Sequence, residues 1–304
     1  MRKLALWGGQ AALVAIVAWY LWSKLGPAWQ QFSAAQLDLT IKPLWIGAAA
    51  LTIFATYAVL IEAWRRVLLG WAQRIDYVPA VRIWCLSNLA RVVPGRVWSV
   101  AGMAMMARGA GVEMWAAVGS AVVIQALAVA TGVLVGAVLA PEAQTPVTVG
   151  VAVALAAAAM SPFVWPTLGN RLIGMVKPGF HLKPVARGPL INGAITTLVS
   201  WLSYGTALWL LAHGIFQTTT LTLDVAVGGF AVAYVLGLVA VFTPGGLVVR
   251  EAVLTGILTP AVGASQALAL ALASRVLTTL TEGGSGLLAL ALRPRSKETV
   301  HEPS

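Results

Sequence analysis

Charge is scarce in this chain. Only 10% of its 304 residues are Asp, Glu, Lys or Arg, against roughly 25% in an ordinary soluble domain. Hydrophobic residues make up 59%, and mean hydropathy is +0.86. That balance excludes a water-soluble fold and leaves a polytopic membrane protein. Acids are scarcer still, with ten Asp and Glu in all. No Asp-x-Asp pair and no His-Glu constellation stands among them, which argues against a membrane transferase using metal or base catalysis on lipid-linked sugars. Cys85 is the single cysteine, so no internal disulfide forms. His181, His213 and His301 are scattered, without zinc-ligand spacing. His213 stands at a predicted span end, where an interfacial role suits it. No Gly-rich nucleotide loop is present, so direct ATP use is not expected, and no cofactor or metal is expected either.

What charge there is has one dominant sign. The net charge is +10, but the basic residues lie between apolar runs and not on a soluble face, so nucleic acid is not an expected partner. Thirteen Lys and Arg fall in one set of loops: Arg2, Lys3, Arg65, Arg66, Arg74, Arg82, Arg171, Lys177, Lys183, Arg187, Arg293, Arg295 and Lys297. The opposite set holds two, Lys24 and Lys42. The asymmetry predicts a multi-pass protein of the cell membrane with both termini cytoplasmic, which requires an even number of crossings.

A span needs about 20 apolar residues. Runs over 4–22, 43–61, 115–139, 147–164, 189–211, 223–241 and 264–292 meet that length or approach it. Between the second run and the next, Glu62 stands at i,i+3 and i,i+4 to Arg65 and Arg66. This reads first as a topology signal with a local ion pair. Residues 165–188 form the largest central loop and divide the chain into halves, 1–139 and 147–292, within a single integral membrane domain over 1–292. Residues 293–304 read as a polar cytoplasmic tail. The expectation is an all-α transmembrane bundle of about eight spans.

Two places break the pattern. Phe242-Thr243-Pro244-Gly245-Gly246-Leu247-Val248-Val249-Arg250-Glu251 sets Pro-Gly-Gly inside apolar sequence and then an adjacent Arg and Glu. Val92-Val93-Pro94-Gly95-Arg96 echoes it in the first half, flanked by Asn88 and Arg91. Proline removes a backbone donor and glycine lets the chain unwind. Broken helix at membrane depth is tolerated only inside protein or along a wet cavity, and ionisable residues there mark function. Broken or re-entrant helices are therefore expected at Pro94-Gly95 and at Pro244-Gly245-Gly246. Their recurrence suggests an internal repeat, inverted or parallel. In the last run Arg275 and Glu282 stand seven apart, on one helix face. They read either as a second functional pair or as an ion pair joining helices. Arg96, equally, could snorkel to the interface.

The residues from Asn88 to Gly102, the Pro244-Gly245-Gly246-x-x-x-Arg250-Glu251 motif and the late intramembrane Arg275 resemble the lysylphosphatidylglycerol synthase transmembrane-region family. That family includes the flippase domain of the multiple peptide resistance factor and stand-alone membrane proteins. The resemblance in architecture covers nearly the whole chain. Val97-Trp98-Ser99 stands where many members carry Gly-Glu. Aminoacyl-transferring members carry a soluble catalytic domain after the membrane part. The 304 residues here show none, so lipid lysylation by this chain alone is not expected.

The resemblance implies a flippase-like protein that moves or binds an anionic, aminoacylated or polyprenyl-linked lipid. Membrane phospholipids or polyprenyl-linked lipids are the expected partners. The residues themselves suit that chemistry. Arg250 is the expected phosphate partner, because a guanidinium stays charged and binds phosphate bidentately. Glu251 would hold Arg250 or meet a headgroup amine. Arg91, Arg96 and Asn88 would serve the same path from the first half, with Arg275 and Glu282 behind. Two other readings stay open: an ion-coupled transporter of a small solute, and a non-transporting accessory subunit.

Overall fold

A computed structural model of the chain describes residues 39–89, 97–140, 145–165, 185–239 and 249–291, together with 167 and 171. The expected first span over 4–22, both Pro-Gly breaks, Arg91, Arg96 and the polar tail lie outside the described residues.

The described residues form nine helices: α1 Pro43–Leu69, α2 Tyr77–Leu89, α3 Val97–Gly109, α4 Met114–Leu139, α5 Pro146–Val164, α6 Arg187–Ile215, α7 Leu223–Val239, α8 Val249–Val262 and α9 Ala264–Ala291. No strand occurs among them, and the one extended contact is an isolated bridge between Leu39 and Phe216. An all-α transmembrane bundle is what the hydropathy pattern requires. α1, α4, α5 and α6 are long and apolar enough to cross a membrane by length and composition, and α7 is a shorter apolar helix. Local chemistry sets several starts. Proline occupies the first turn of α1 and of α5, where its missing N–H costs nothing. Thr145 caps α5 by accepting from the Thr148 backbone N–H at 3.1 Å.

The order of elements recurs. Two short helices flanking a Pro-Gly stretch are followed by a tight turn and a long helix: α2, α3, α4 in the first half and α7, α8, α9 in the second. The turns correspond residue by residue. Gly111 (φ +88°) and Gly263 (φ +80°) are the two glycines with left-handed backbone among the described residues. Each lies 14 residues after its helix start, at Val97 and Val249. A side chain at either position would be strained.

The two series run in opposite directions. α1 and α6 lie side by side and antiparallel. A Cβ on Gly70, past the end of α1, would meet Pro189 at the start of α6 at 2.8 Å, and one on Gly214 would meet Ile46 at 2.8 Å. Lys42 N–H donates to the Gly214 carbonyl at 2.8 Å. α2 and α3 then leave and return at one end of the bundle. Gln73 before them and Glu113 after them are hydrogen-bonded, with Glu113 N–H donating to Gln73 Oε1 at 3.0 Å. Trp71 and Trp115 meet beside that contact with their rings tilted 59° apart at 5.3 Å. α7 and α8 do the same at the opposite end, where Thr220 Oγ1 donates to the Ala261 carbonyl. The described helices on either side of the two Pro-Gly stretches thus form two pairs that enter from opposite ends, so the two series are arranged in inverted fashion; the breaks themselves lie outside the described residues. Two hydrophobic clusters follow this division, one around Phe216, Phe230, Leu254 and Leu270, the other around Trp64, Leu68, Val112 and Val123.

Candidate functional site

α8 runs from Val249, three residues past Gly246, and Arg250 and Glu251 occupy its first turn. Both carry their charge into the interior. Arg250 is only 7% exposed. At 1.5 Å per residue, the run back from Gly263 puts these side chains about 18 Å from the hairpin turn, near the middle of a hydrocarbon layer about 30 Å thick. Arg275 is as many residues after Gly263 as Glu251 is before it. In an antiparallel hairpin such positions are level, and Arg275 Nε lies 3.9 Å from Glu251 Oε1. That is an ion pair, too long for a hydrogen bond.

The Arg250 guanidinium is held by aromatic rings. Its Cζ lies 4.8 Å from the centroid of Phe230 and 5.8 Å from that of Tyr234. These two residues, one helical turn apart on α7, present π faces to the cation, worth about 0.5–2 kcal/mol per ring. The rings are themselves fixed. Tyr204 stacks on Phe230 at 5.2 Å, and Trp201 meets Tyr234 edge-on at 5.3 Å. Trp201 Nε1 in turn donates to Thr131 Oγ1 at 3.1 Å. The charged or ionisable groups near Arg250 are Arg275, Glu251, Tyr234 and Glu282. Among the described residues, Arg250 Nη2 and Thr255 Oγ1 are buried without a hydrogen-bond partner. A buried guanidinium N–H left unmet is costly, so the arrangement is suited to an anion that completes it.

α9 supplies the wall that both hairpins share. Ser274, Thr278, Thr281 and Ser285 are buried along it. The hydroxyls of Thr278, Thr281 and Ser285 donate to carbonyls one turn back, as Thr278 does to Ser274 at 2.9 Å. Tyr57 of α1 and Thr281 share a hydrogen bond of 3.2 Å. Cys85 of α2 lies beside Ser285, and a Cβ on Gly286 would meet Leu89 at 2.5 Å. Asn88 therefore lies at the end of α2 that leans on α9, half-buried. Arg250, Glu251 and Arg275 are brought together directly. Glu282 follows Arg275 by two turns on α9, and Asn88 stands on α2 next to Leu89, which packs against Gly286 of α9.

Residues 7–282 match the family described as the lysylphosphatidylglycerol synthase TM region. The chain belongs to this family. All five described candidate residues lie within the match, as do both Pro-Gly stretches. Membership in the lysylphosphatidylglycerol synthase TM-region family makes this a membrane protein with a lipid-related function. A search of curated proteins finds no match.

Two components of the site escaped the sequence. Phe230 and Tyr234 read only as apolar residues of a span. The signal available was their four-residue spacing in the helix directly before the Pro-Gly-Gly break. The sequence set Glu251 beside Arg250 and Arg275 beside Glu282, whereas the ion pair found is Arg275–Glu251; the signal available for it was their equal distance from Gly263. The Glu62 pair stands as expected, with Arg65 Nη1 at 2.6 Å and Arg66 Nε at 3.0 Å from its carboxylate.

Proposed function

We propose that this chain is a lipid flippase-like protein of the cell membrane, holding the phosphate of an anionic lipid headgroup at Arg250 while the headgroup passes between helices. The observation that carries the reading is the Arg250 guanidinium itself. It is buried near mid-depth, caged by Phe230 and Tyr234, with an N–H that no described residue accepts. Phosphate accepts from such a group in a charge-assisted, bidentate manner. Arg275, level with it, adds a second cation, and Glu251 and Glu282 keep the empty site near neutrality. The same carboxylates would receive the amine of an aminoacylated headgroup. Polyprenyl-linked phosphates share the phosphate chemistry. No bond is made or broken in this role, so the protein acts as a transporter and not as an enzyme.

The orientation follows from charge. Both termini are cytoplasmic, and the α2–α3 hairpin enters from the cytoplasmic side, where Arg65, Arg66, Arg74 and Arg82 cluster. The α7–α8 hairpin enters from the opposite side, beside the uncharged, Thr-rich segment before α7. With the expected span over 4–22, crossings by α1, α4, α5, α6 and α9 make six, an even number, and the two hairpins complete the bundle. Inverted halves whose broken helices meet near mid-depth offer a polar path with a gate at each face. The test is translocation in proteoliposomes of fluorescent phosphatidylglycerol, its lysyl derivative and a neutral lipid. Protein-dependent movement of the charged lipids over the neutral one supports the reading. Movement of none of them, with or without an ion gradient, overturns it.

A further inference from the structure

A second polar site lies outside the Arg250 cage. At the α1–α6 seam, beside the start of α2, a shallow, wide-open cavity of about 410 Å³ is lined by Glu62, Arg66, Tyr77, Asn192 and Thr196, with Val59 at its apolar edge. Its position is informative. Glu62 is two turns, about 10 Å, short of the end of α1. This is the depth at which headgroups meet acyl chains, not the depth of a solvated loop. The flanking outward surface is apolar, with Val59 at 38%, Ile191 at 60% and Ile195 at 55% exposure. A topology signal needs only charge. It does not need a cavity with an amide, a phenol and a hydroxyl placed around the charges.

The charges are also held in place. Arg65 is fixed on three sides: Nη1 donates to Glu62 at 2.6 Å, Nε donates to the Ile75 carbonyl at 3.0 Å, and Cζ lies 5.5 Å over the Tyr77 ring. Arg66 donates through Nε to the other Glu62 oxygen at 3.0 Å, is half exposed, and lines the cavity. Glu62 thus acts as a splint between two guanidinium groups, leaving one positive charge in excess. Thr196, buried, donates to the Asn192 carbonyl at 2.6 Å. This orders the α6 wall and leaves the Asn192 amide at the cavity.

We infer that this cavity is a binding site for the phosphate-bearing headgroup of an anionic phospholipid in the cytoplasmic leaflet. Arg66 takes the phosphate, Asn192 and Tyr77 take the headgroup hydroxyls, and the apolar flanks of α1 and α6 take the first methylenes of the acyl chains. The site rests on the lipid-handling reading and names where the lipid is loaded. Its test is binding and not transport, so the two can fail separately.

The experiment is native mass spectrometry of the purified full chain titrated with phosphatidylglycerol. Diacylglycerol and soluble glycerophosphoglycerol serve as comparison ligands. Arg66→Gln and the cavity-filling Asn192→Leu are compared with Arg74→Gln, an exposed arginine at the same end that does not line the cavity. Size-exclusion profiles confirm folding of each variant. Loss of one charge-assisted contact is expected to weaken phosphatidylglycerol retention about tenfold in Arg66→Gln, with a smaller loss in Asn192→Leu. Arg74→Gln stays within about twofold, as expected of an exposed charge. Diacylglycerol should not compete, and glycerophosphoglycerol should compete weakly. Equal losses in Arg66→Gln and Arg74→Gln would reduce the cluster to unspecific basic attraction. Unchanged retention in both cavity variants would also overturn the site. Binding lost in these variants while the wild type translocates nothing would leave the site standing and sink the transport reading.

Discussion

Replacing Arg250 by Met separates stability from function. Arginine here lies in an interior where one N–H has no acceptor among the described residues. Leaving that group unmet costs about 1–3 kcal/mol. Against it stand the cation–π contacts at 4.8 and 5.8 Å, worth about 1–2 kcal/mol each where water is excluded, and attraction to Glu251. Met keeps the length and much of the volume, contacts both rings, and removes both the cost and the gain. The expected stability change is within about 1 kcal/mol, or a Tm shift of about 4 °C at most. Lipid recognition should respond very differently. A hydrogen bond to a charged group contributes about 1.5–3 kcal/mol, so anionic-lipid affinity should fall roughly 10- to 150-fold. The assay is a thermal melt in neutral detergent with and without phosphatidylglycerol. A ligand that binds only the folded state raises its Tm, so with the Arg66→Gln change present in both proteins to weaken the outer site, lipid should stabilise the protein that keeps Arg250 and leave its Arg250→Met counterpart unmoved. A Met variant that melts more than about 8 °C lower, yet is still stabilised by the lipid, would make Arg250 a structural residue and refute the reasoning.

Four further outcomes are expected. Glu251→Gln and Arg275→Met should each destabilise by about 1–3 kcal/mol, because each leaves its ion-pair partner uncompensated. The double variant should recover most of that loss in a double-mutant cycle followed by denaturation. Phe230→Leu should weaken anionic-lipid binding by about 0.5–2 kcal/mol in a titration while the fold survives, since one π face is lost from Arg250. Gly205→Ala should cost about 1–3 kcal/mol by thermal melt, because its Cβ would lie 2.3 Å from the Val227 backbone, whereas Gly47→Ala, in open space, should be neutral or stabilising. In a Cys85→Ser background, single cysteines at Arg74 and Ala110 should be labelled by an impermeant thiol reagent from one face of sealed vesicles, and those at Thr219 and Ser265 from the other. All four labelling from one face would contradict opposed hairpins.

Much of the architecture was legible because membrane sequence is written in a few strong signals. Apolar length gave α1, α4, α5 and α6, and the scarcity of charge made each buried Arg or Glu conspicuous. Arg250, Glu251 and Arg275 were singled out because no apolar helix carries them without cause. Hairpin geometry was harder to read. α8 is 14 residues long, too short to cross alone, and its length leaves open whether it continues a crossing or turns back. That depends on contacts such as Thr220 to Ala261, which join residues distant in sequence. The direction of the repeat was hidden for the same reason. Pro-Gly recurs identically in parallel and inverted repeats, and only the antiparallel packing of α1 on α6 distinguishes them. Phe230 and Tyr234 were invisible as site residues because an aromatic ring in a span packs against lipid, core or cation with the same sequence signature.

The central claim is that Arg250 guides an anionic headgroup through the bundle. The most direct measurement is the initial rate of fluorescent phosphatidylglycerol translocation in proteoliposomes, for wild type beside folded Arg250→Met at equal reconstitution. The expected result is protein-dependent translocation by the wild type and a rate at the protein-free background for the variant. Equal rates for the two proteins would contradict the claim and leave Arg250 as a cation that fastens α8 to α7.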